Sequence, residues 1–171
     1  MRHLIGLLLL AAAMPAAAGL ENVGDHGFTV SHTADTTAAP NAVYGAMKSV
    51  GRWWNGAHSW SGEASNLYLQ AGPGGCFCEK MPGGGHVEHL RLIFDAPGRE
   101  LRFDGALGPL QAMPVFGRMI WRIEALDTGA RIHFIYHVTG RPEGGLQGIA
   151  PAVDGVIGEQ LNRLRDLLAT D

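Results

Sequence analysis

Three residues of this sequence, Glu79, Glu88 and His58, are candidates for acid–base chemistry. Glu79 and Glu88 flank residues 82–85, whose proline and three glycines favour a reversal between two strands. If these four residues form the loop, Glu79 pairs with Glu88 across a β-hairpin, and both face its more apolar side. Two adjacent carboxylates in a dry environment share a proton or bind a cation, so we expect a raised pKa for the pair. His58 is the third candidate for proton transfer.

The facing of this hairpin has two alternatives. The register that pairs the glutamates also pairs Phe77 with Leu90, and a slip by one residue would reverse the facing of every side chain. The glutamates could also lie at a wet rim, where each would meet an arginine.

The two cysteines lie in the first strand of the same hairpin. Cys76 and Cys78 are two residues apart, a spacing near the upper Cα separation of about 6.8 Å for a disulfide, so we expect buried or half-buried free thiols. The predicted register places His89 on the same face, and sulfur with imidazole suits zinc or copper. A fourth ligand is not evident and the spacing matches no standard zinc pattern, so we predict no metal site.

Length and composition indicate one domain and exclude some classes of function. The chain has 171 residues, of which 46% are hydrophobic, enough for one core. The net charge is −3, and the basic residues are dispersed, so nucleic acid is not an expected partner. The sequence has no nucleophile elbow, no His-Glu-x-x-His zinc motif and no phosphate-binding glycine loop, and we predict no cofactor.

The N-terminus has the pattern of a signal peptide over residues 1–18. A short basic start precedes an apolar run from Leu4 to Met14, and small residues end at Ala18, after which we expect cleavage. The run is shorter than the roughly 20 residues that span a bilayer, and no cysteine follows it to carry a lipid, so we expect no stable membrane anchor. The mature domain, residues 19–171, is expected to be periplasmic or secreted.

Hydrophobic periodicity predicts an α+β fold with an antiparallel sheet of about seven strands. A strand near residues 28–31 is followed by a helix over 39–49 and by a short helix or turn over 52–60, which carries three of the four tryptophans. Alternating side chains then predict strands up to residue 138, with one covered face.

A long amphipathic helix is predicted from residue 149 to 168, because apolar residues recur there at helical spacing. Gly148, Gly155 and Gly158 lie in or just before its first half, although glycine weakens a helix by about 1 kcal/mol relative to alanine. These glycines indicate either close backbone packing or open space beneath the helix.

The order of elements resembles the helix-grip fold, in which a curved sheet wraps the last helix. The same chain contains a set of short motifs: Trp53-Trp54, His58-Ser59-Trp60, Ser65-Asn66-Leu67, Gly74-Gly75-Cys76-Phe77-Cys78-Glu79, Val87-Glu88-His89, Gly108-Pro109-Leu110-Gln111, Gly144-Gly145-Leu146, Val153-Asp154, Gln160 and Arg163-Leu164. These motifs are similar to those of the SRPBCC superfamily of START, pollen-allergen and polyketide-cyclase relatives, in particular an exported bacterial group that carries an ATPase-activator-like label. An exported chain meets neither ATP nor a cytosolic chaperone, so we set the activator label aside.

The resemblance implies a cavity between sheet and helix, and thus a protein that binds a small apolar or amphipathic ligand. The expected ligand-binding residues are Trp60, Phe77, Glu79, Glu88, Leu90, Phe103, Trp121, Phe134 and Tyr136. An alternative is a cyclase, dehydratase or hydrolase that uses Glu79 and Glu88 with His58 for proton transfer. A third is an interaction protein, which an exposed patch of Trp53, Trp54 and Trp60 would indicate.

We predict that the exported protein begins at Gly19. Intact-mass analysis of the protein recovered from the periplasm or medium of its own host should give the mass of residues 19–171. Protein from the cytoplasm of cells with blocked secretion is the control and should retain residues 1–18. A full-length mass in the exported fraction would contradict cleavage.

Overall fold

The computed structural model describes residues 19–170, so the predicted signal peptide lies outside the described residues. Eight strands form one antiparallel sheet in the order β1-β2-β8-β7-β6-β5-β4-β3. The strands are β1 Gly19–Gly24, β2 Gly27–Thr36, β3 Leu67–Leu69, β4 Cys76–Lys80, β5 His86–Ala96, β6 Glu100–Asp104, β7 Val115–Ala125 and β8 Ala130–Gly140; the helices are α1 Pro40–Lys48 and α2 Ala150–Leu168. Within residues 19–170, no helix combines the length and apolar character needed to cross a membrane.

The α+β helix-grip prediction is confirmed, with one strand more than expected. The additional strand, β1, pairs with β2 at the edge of the sheet, and all six of its residues are exposed or half-buried. The sequence of β1 shows no alternation of apolar side chains, because neither face of this strand is buried. Asn22 has a φ of 53°, and the register shifts between Glu21 and Gly24.

Aromatic side chains from neighbouring strands form the centre of the core. Trp121 on β7 stacks on Phe134 of β8, with ring centroids 5.1 Å apart, and meets Phe103 of β6 edge-on at 4.9 Å. All three side chains are fully buried. Burial of one such side chain contributes about 1.5–3 kcal/mol, so this layer is a main source of stability in the sheet.

The segment after β2 forms α1 and then three short 3-10 turns, which begin at Val50, Gly56 and Ala64. Pro40 starts α1, where its missing N–H costs no helical hydrogen bond. Trp53 and Trp54 are buried, whereas Trp60 is 51% exposed. The three tryptophans therefore do not form one exposed patch, and the sign expected for an interaction protein is absent from this segment.

The register of the β4–β5 hairpin follows the predicted one as far as Phe77 and differs from Cys78 onward. Phe77 lies opposite Leu90 as expected, but Cys78 then lies opposite Glu88 and Glu79 opposite Val87. The predicted pairing of Glu79 with Glu88 is therefore wrong. β5 carries one extra residue, His89, at a bulge, and a bulge shifts every later pair by one position.

The cysteines also differ from the prediction, because Cys76 and Cys78 form a disulfide. Their Cα atoms lie 5.4 Å apart, well within the range for a disulfide. A fully extended strand would separate them by roughly 6.6 Å, but β4 is less extended here, beside the shift in register. The expectation of free thiols, which assumed a regular strand, is wrong.

The glycines of α2 have two different environments. A Cβ atom at Gly158 would lie 2.9 Å from Cε1 of His32, so this glycine permits close packing of the helix on β2. The same histidine binds Asp154 on α2, with 2.8 Å between Nε2 and Oδ1. Gly155 is exposed, with nothing near its Cβ position. Neither glycine leaves an internal void under the helix.

We predict that the purified protein carries no free thiol. Under denaturing, non-reducing conditions a thiol-alkylating reagent should add nothing to the mass, because both sulfur atoms are bonded. After reduction the same reagent should add two groups, which serves as the control for reactivity. Two added groups before reduction would show that the disulfide does not form.

Candidate functional site

A cavity of about 310 Å³ lies between the first half of α2 and the β4–β5 hairpin. Its remaining walls come from residues 57–60, which follow the buried tryptophans, and from the loop over residues 107–109. Most of the wall is apolar. The apolar lining residues with large side chains are Trp54, Trp60, Phe77, Leu107, Pro109, Val153, Val156 and Ile157.

Apart from Glu79, the predicted ligand-binding residues lie in three different positions in the structure. Trp60 and Phe77 line the cavity. Inward-facing side chains on the middle of the sheet fill the core instead, because the aromatic rings occupy the space beside them; these residues are Leu90, Phe103, Trp121, Phe134 and Tyr136. Glu88 is exposed on β5, with its carboxylate 2.9 Å from Arg91 Nη2. For Glu88, the alternative of a wet rim with an arginine partner is therefore the correct one.

Glu79 lies behind the wall of the cavity as a buried carboxylate. It has no exposed surface, and its oxygens accept three hydrogen bonds. The backbone N–H of Trp60 donates at 3.0 Å and that of Ser61 at 2.5 Å. His89 Nε2 lies 2.9 Å from Oε2 of the same carboxylate, and the His89 ring lines the cavity. The hairpin and the turn at residues 60–61 are thus joined through one side chain.

The surroundings of Glu79 and His89 determine the protonation state of both side chains. Burial raises the pKa of the Glu79 carboxyl, but hydrogen bonds from Ser61, from the backbone of Trp60 and from His89 outweigh it and hold the pKa below its ordinary range. Burial lowers the pKa of the His89 imidazole more than the Glu79 carboxylate raises it. The expected raised pKa of a glutamate pair is therefore wrong for Glu79, which is ionised beside a neutral imidazole at neutral pH.

His89 was missed as a cavity residue because the sequence gives no direct sign of a bulge. A regular hairpin would put His89 and Leu90 on opposite faces, yet both are buried. The extra residue lets two consecutive side chains point to the same side. The signal that the sequence does contain is the pair Glu88-His89, two consecutive polar residues that interrupt the alternation of β5.

His58 lines the cavity at its rim and is bound to α2. Its Nε2 lies 3.1 Å from Oε2 of Glu159, whose other oxygen accepts a hydrogen bond from Asn55 Nδ2 at 2.6 Å. The backbone N–H of Asn55 donates to Gln160 Oε1 at 2.7 Å. The predicted candidates His58 and Glu79 are therefore held by separate groups and do not contact each other.

Tyr136 positions the loop that closes the cavity. Its hydroxyl accepts from Leu107 N at 3.0 Å and donates to the Gly105 carbonyl at 3.2 Å. Burial raises the pKa of Tyr136 to about 12, so the hydroxyl keeps its proton. Gly117 allows this approach, because a Cβ atom there would lie 2.7 Å from the tyrosine oxygen. This predicted ligand-binding residue thus acts on the cavity through the backbone of the loop.

Among residues 19–170, no group of three or more histidine, cysteine and acidic side chains is arranged to hold a metal ion. The sulfur atoms of Cys76 and Cys78 are bonded to each other and so are not thiolate ligands. His89, the third weak candidate, is bound to Glu79.

We predict that replacement of His89 with phenylalanine destabilises the protein more at pH 7.5 than at pH 5.5. Because the folded-state pKa of His89 is lowered from 6.5, the stability that the neutral ring contributes is present above that value and is lost as the pH falls below it. The corresponding contribution of Glu79 is lost only below about pH 4.5, outside this window. At pH 7.5 the loss of a donor to a buried carboxylate should cost roughly 1–3 kcal/mol.

Urea unfolding at the two pH values measures this difference. His86→Phe is the matched control, since His86 is exposed on the same strand, and its effect should stay within about 0.5 kcal/mol at both pH values. An equal cost of His89→Phe at pH 7.5 and 5.5 would contradict a neutral buried imidazole.

Comparisons with known proteins agree with this architecture. Residues 27–169 match the family described as polyketide cyclase / dehydrase and lipid transport. No curated protein matches the chain. An uncharacterized protein from Rhizobium leguminosarum is similar in structure, with 18% identity, a TM-score of 0.61, and coverage of 85% of this chain and 96% of that one.

Two further structures share the fold at lower identity. The di-domain ARO/CYC protein StfQ from the steffimycin biosynthetic pathway is 12% identical, with a TM-score of 0.58 over 85% of this chain and 52% of its own. The protein Ara h 8.0201 is 11% identical, with a TM-score of 0.58 over 85% and 99% of the two chains. Identities this low show the fold alone. The family match over residues 27–169 shows that this chain belongs to the polyketide cyclase/dehydrase and lipid-transport family of the SRPBCC superfamily.

Proposed function

We propose that this protein binds a small apolar or amphipathic molecule in the cavity beside α2. The observation that carries the proposal is a preformed space of about 310 Å³ whose wall is mostly aromatic and aliphatic and contains His89 as a fixed polar group. Ligand sites in proteins have this composition, because apolar walls supply the binding free energy and a few polar groups orient the ligand. The volume lies at the small end of such sites, about 300–1,000 Å³.

The entrance supports the same function. Trp60 lines the cavity and is 51% exposed, and its backbone N–H is bound to the buried Glu79. A large ring that is half in water and half against a cavity gains buried area when an apolar molecule enters. Trp60 is therefore placed to cover a bound molecule, while its backbone stays fixed.

Export is part of the proposal and rests on two features. Residues 1–18 have the pattern of a signal peptide. The Cys76–Cys78 disulfide is the form that cysteines take in an oxidising compartment such as the periplasm or the medium. We therefore assign the binding function to an exported protein, whose ligand would be met outside the cytoplasm.

An enzyme of the cyclase, dehydratase or hydrolase type is the second candidate. Glu79 and Glu88 do not form its site, but Glu79 and His89 lie 2.9 Å apart, and an imidazole oriented by a carboxylate is a common general base. The discriminating observation is a bound compound that is recovered chemically altered by the wild type and unaltered by His89→Phe. Recovery of the compound unchanged from both proteins would favour binding alone.

We predict that Val153→Trp weakens binding of the neutral fluorescent probe N-phenyl-1-naphthylamine. Val153 lines the cavity from α2, so the larger side chain would occupy volume that the probe needs. A loss of at least about tenfold in affinity, or about 1.4 kcal/mol, is expected. Fluorescence titration gives the dissociation constant, and circular dichroism checks that the variant is folded.

The matched control is Gly155→Trp, which adds the same ring two residues later at an exposed position with open space around it. Its affinity for the probe should equal that of the wild type. Saturable binding with the same dissociation constant in all three proteins would place the probe elsewhere and count against this cavity.

A further inference from the structure

We propose that the cavity selects a neutral apolar molecule that carries a hydroxyl group, which donates a hydrogen bond to Nδ1 of His89. This inference rests on the proposed binding function and names the class of molecule that the site would take. It follows from three features of the cavity wall: the orientation of the His89 ring, the acceptor that this orientation leaves open, and the charges around the cavity.

The orientation of His89 follows from what Glu79 can accept. Both oxygens of the Glu79 carboxylate already accept hydrogen bonds from backbone N–H groups, which can only donate. An ionised carboxylate has no proton to give, so the contact of 2.9 Å with His89 Nε2 requires the hydrogen to lie on that nitrogen. The Glu79 side chain thereby sets the tautomer of the imidazole, as carboxylates do for histidines in many sites.

The open acceptor is the second ring nitrogen of His89. In a neutral imidazole with its hydrogen on Nε2, Nδ1 accepts. No hydrogen bond within residues 19–170 reaches Nδ1. The fully buried polar side-chain atoms without a partner in these residues are Trp121 Nε1 and Gln160 Nε2. Nδ1 is not one of them, so it is not fully buried. The ring lines the cavity and keeps 5% of its surface exposed. A group in the cavity thus meets an acceptor that needs a donor.

Charges around the cavity disfavour an anion. Within residues 19–170, no lysine or arginine lines the cavity, and the ionised Glu79 lies directly behind His89. His58, at the rim, is already bound to Glu159. A carboxylate or phosphate group would lose its water here without gaining a cation, which is costly. An ether or ketone would oppose its lone pairs to those of Nδ1, so the polar group that fits is a neutral donor such as a hydroxyl.

Four compounds with one ring system test this selectivity on the wild-type protein. Naphthalene, 2-naphthol, 2-methoxynaphthalene and 2-naphthoate share an apolar body and differ in one group, which is absent, a donor, an acceptor or an anion. Isothermal titration calorimetry at neutral pH gives each dissociation constant. We expect 2-naphthol to bind about fivefold more tightly than naphthalene and the ether, as one neutral hydrogen bond allows, and 2-naphthoate to bind most weakly.

A single variant tests whether His89 is responsible. His89→Phe removes the acceptor, while Glu79 keeps its hydrogen bonds from the backbone N–H groups of Trp60 and Ser61, and circular dichroism checks that the variant is folded. The ratio of the naphthalene and 2-naphthol dissociation constants should fall to about one, while naphthalene still binds. His86→Phe, at an exposed position on the same strand, is the control and should leave the ratio unchanged.

The possible failures separate the two proposals. Equal affinities for naphthalene, the ether and 2-naphthol in the wild type would overturn the hydroxyl preference and leave the binding function intact. Binding of 2-naphthoate as tight as that of 2-naphthol would overturn the exclusion of anions, and with it the inference. If none of the four compounds binds, the proposed function fails and this inference fails with it.

Discussion

The burial of one ionised carboxylate constrains the part of the fold that carries the cavity. A carboxylate without exposed surface is stable only when donors replace its lost water, and Glu79 obtains them from Trp60, Ser61 and His89. These donors come from two segments that the topology would otherwise leave independent, the turn at residues 60–61 and the bulged strand β5. The requirement to satisfy Glu79 therefore fixes the entrance ring and the wall imidazole together.

The sheet serves two purposes along its length. In the middle strands, Trp121, Phe103 and Phe134 pack ring against ring and leave no room for a ligand. Towards β4 and β5 the inward rings end at Phe77, which packs edge-on against Trp54, and the space beyond these two rings is the cavity. The same inward-facing pattern thus gives a packed core in one part of the sheet and a ligand wall in another.

Much of the fold could be predicted from the sequence, but the details of the site could not. Strand alternation and the apolar stripe of α2 are averages over many residues, so one irregularity does not change them. The site depends on one inserted residue at His89, and that bulge changes the partner of Glu79, the exposure of Glu88 and the direction of the Glu79 pKa shift from those predicted. The disulfide was missed for the same reason, since the Cys76 to Cys78 distance was judged for a regular strand. Cavity residues and core residues lie on the same inward face of the sheet, and periodicity alone cannot distinguish one group from the other.

The wall formed by α2 differs from the opposite wall in a way that affects how such a protein could diversify. Val153, Val156 and Ile157 contribute to the cavity only through apolar surface, whereas the facing wall is tied to Glu79 by hydrogen bonds. Changes in size on the helix side alter the shape of the space without disturbing the polar group. The volume of the site and its hydrogen-bonding character are consequently separable properties, each encoded in a different segment of the chain.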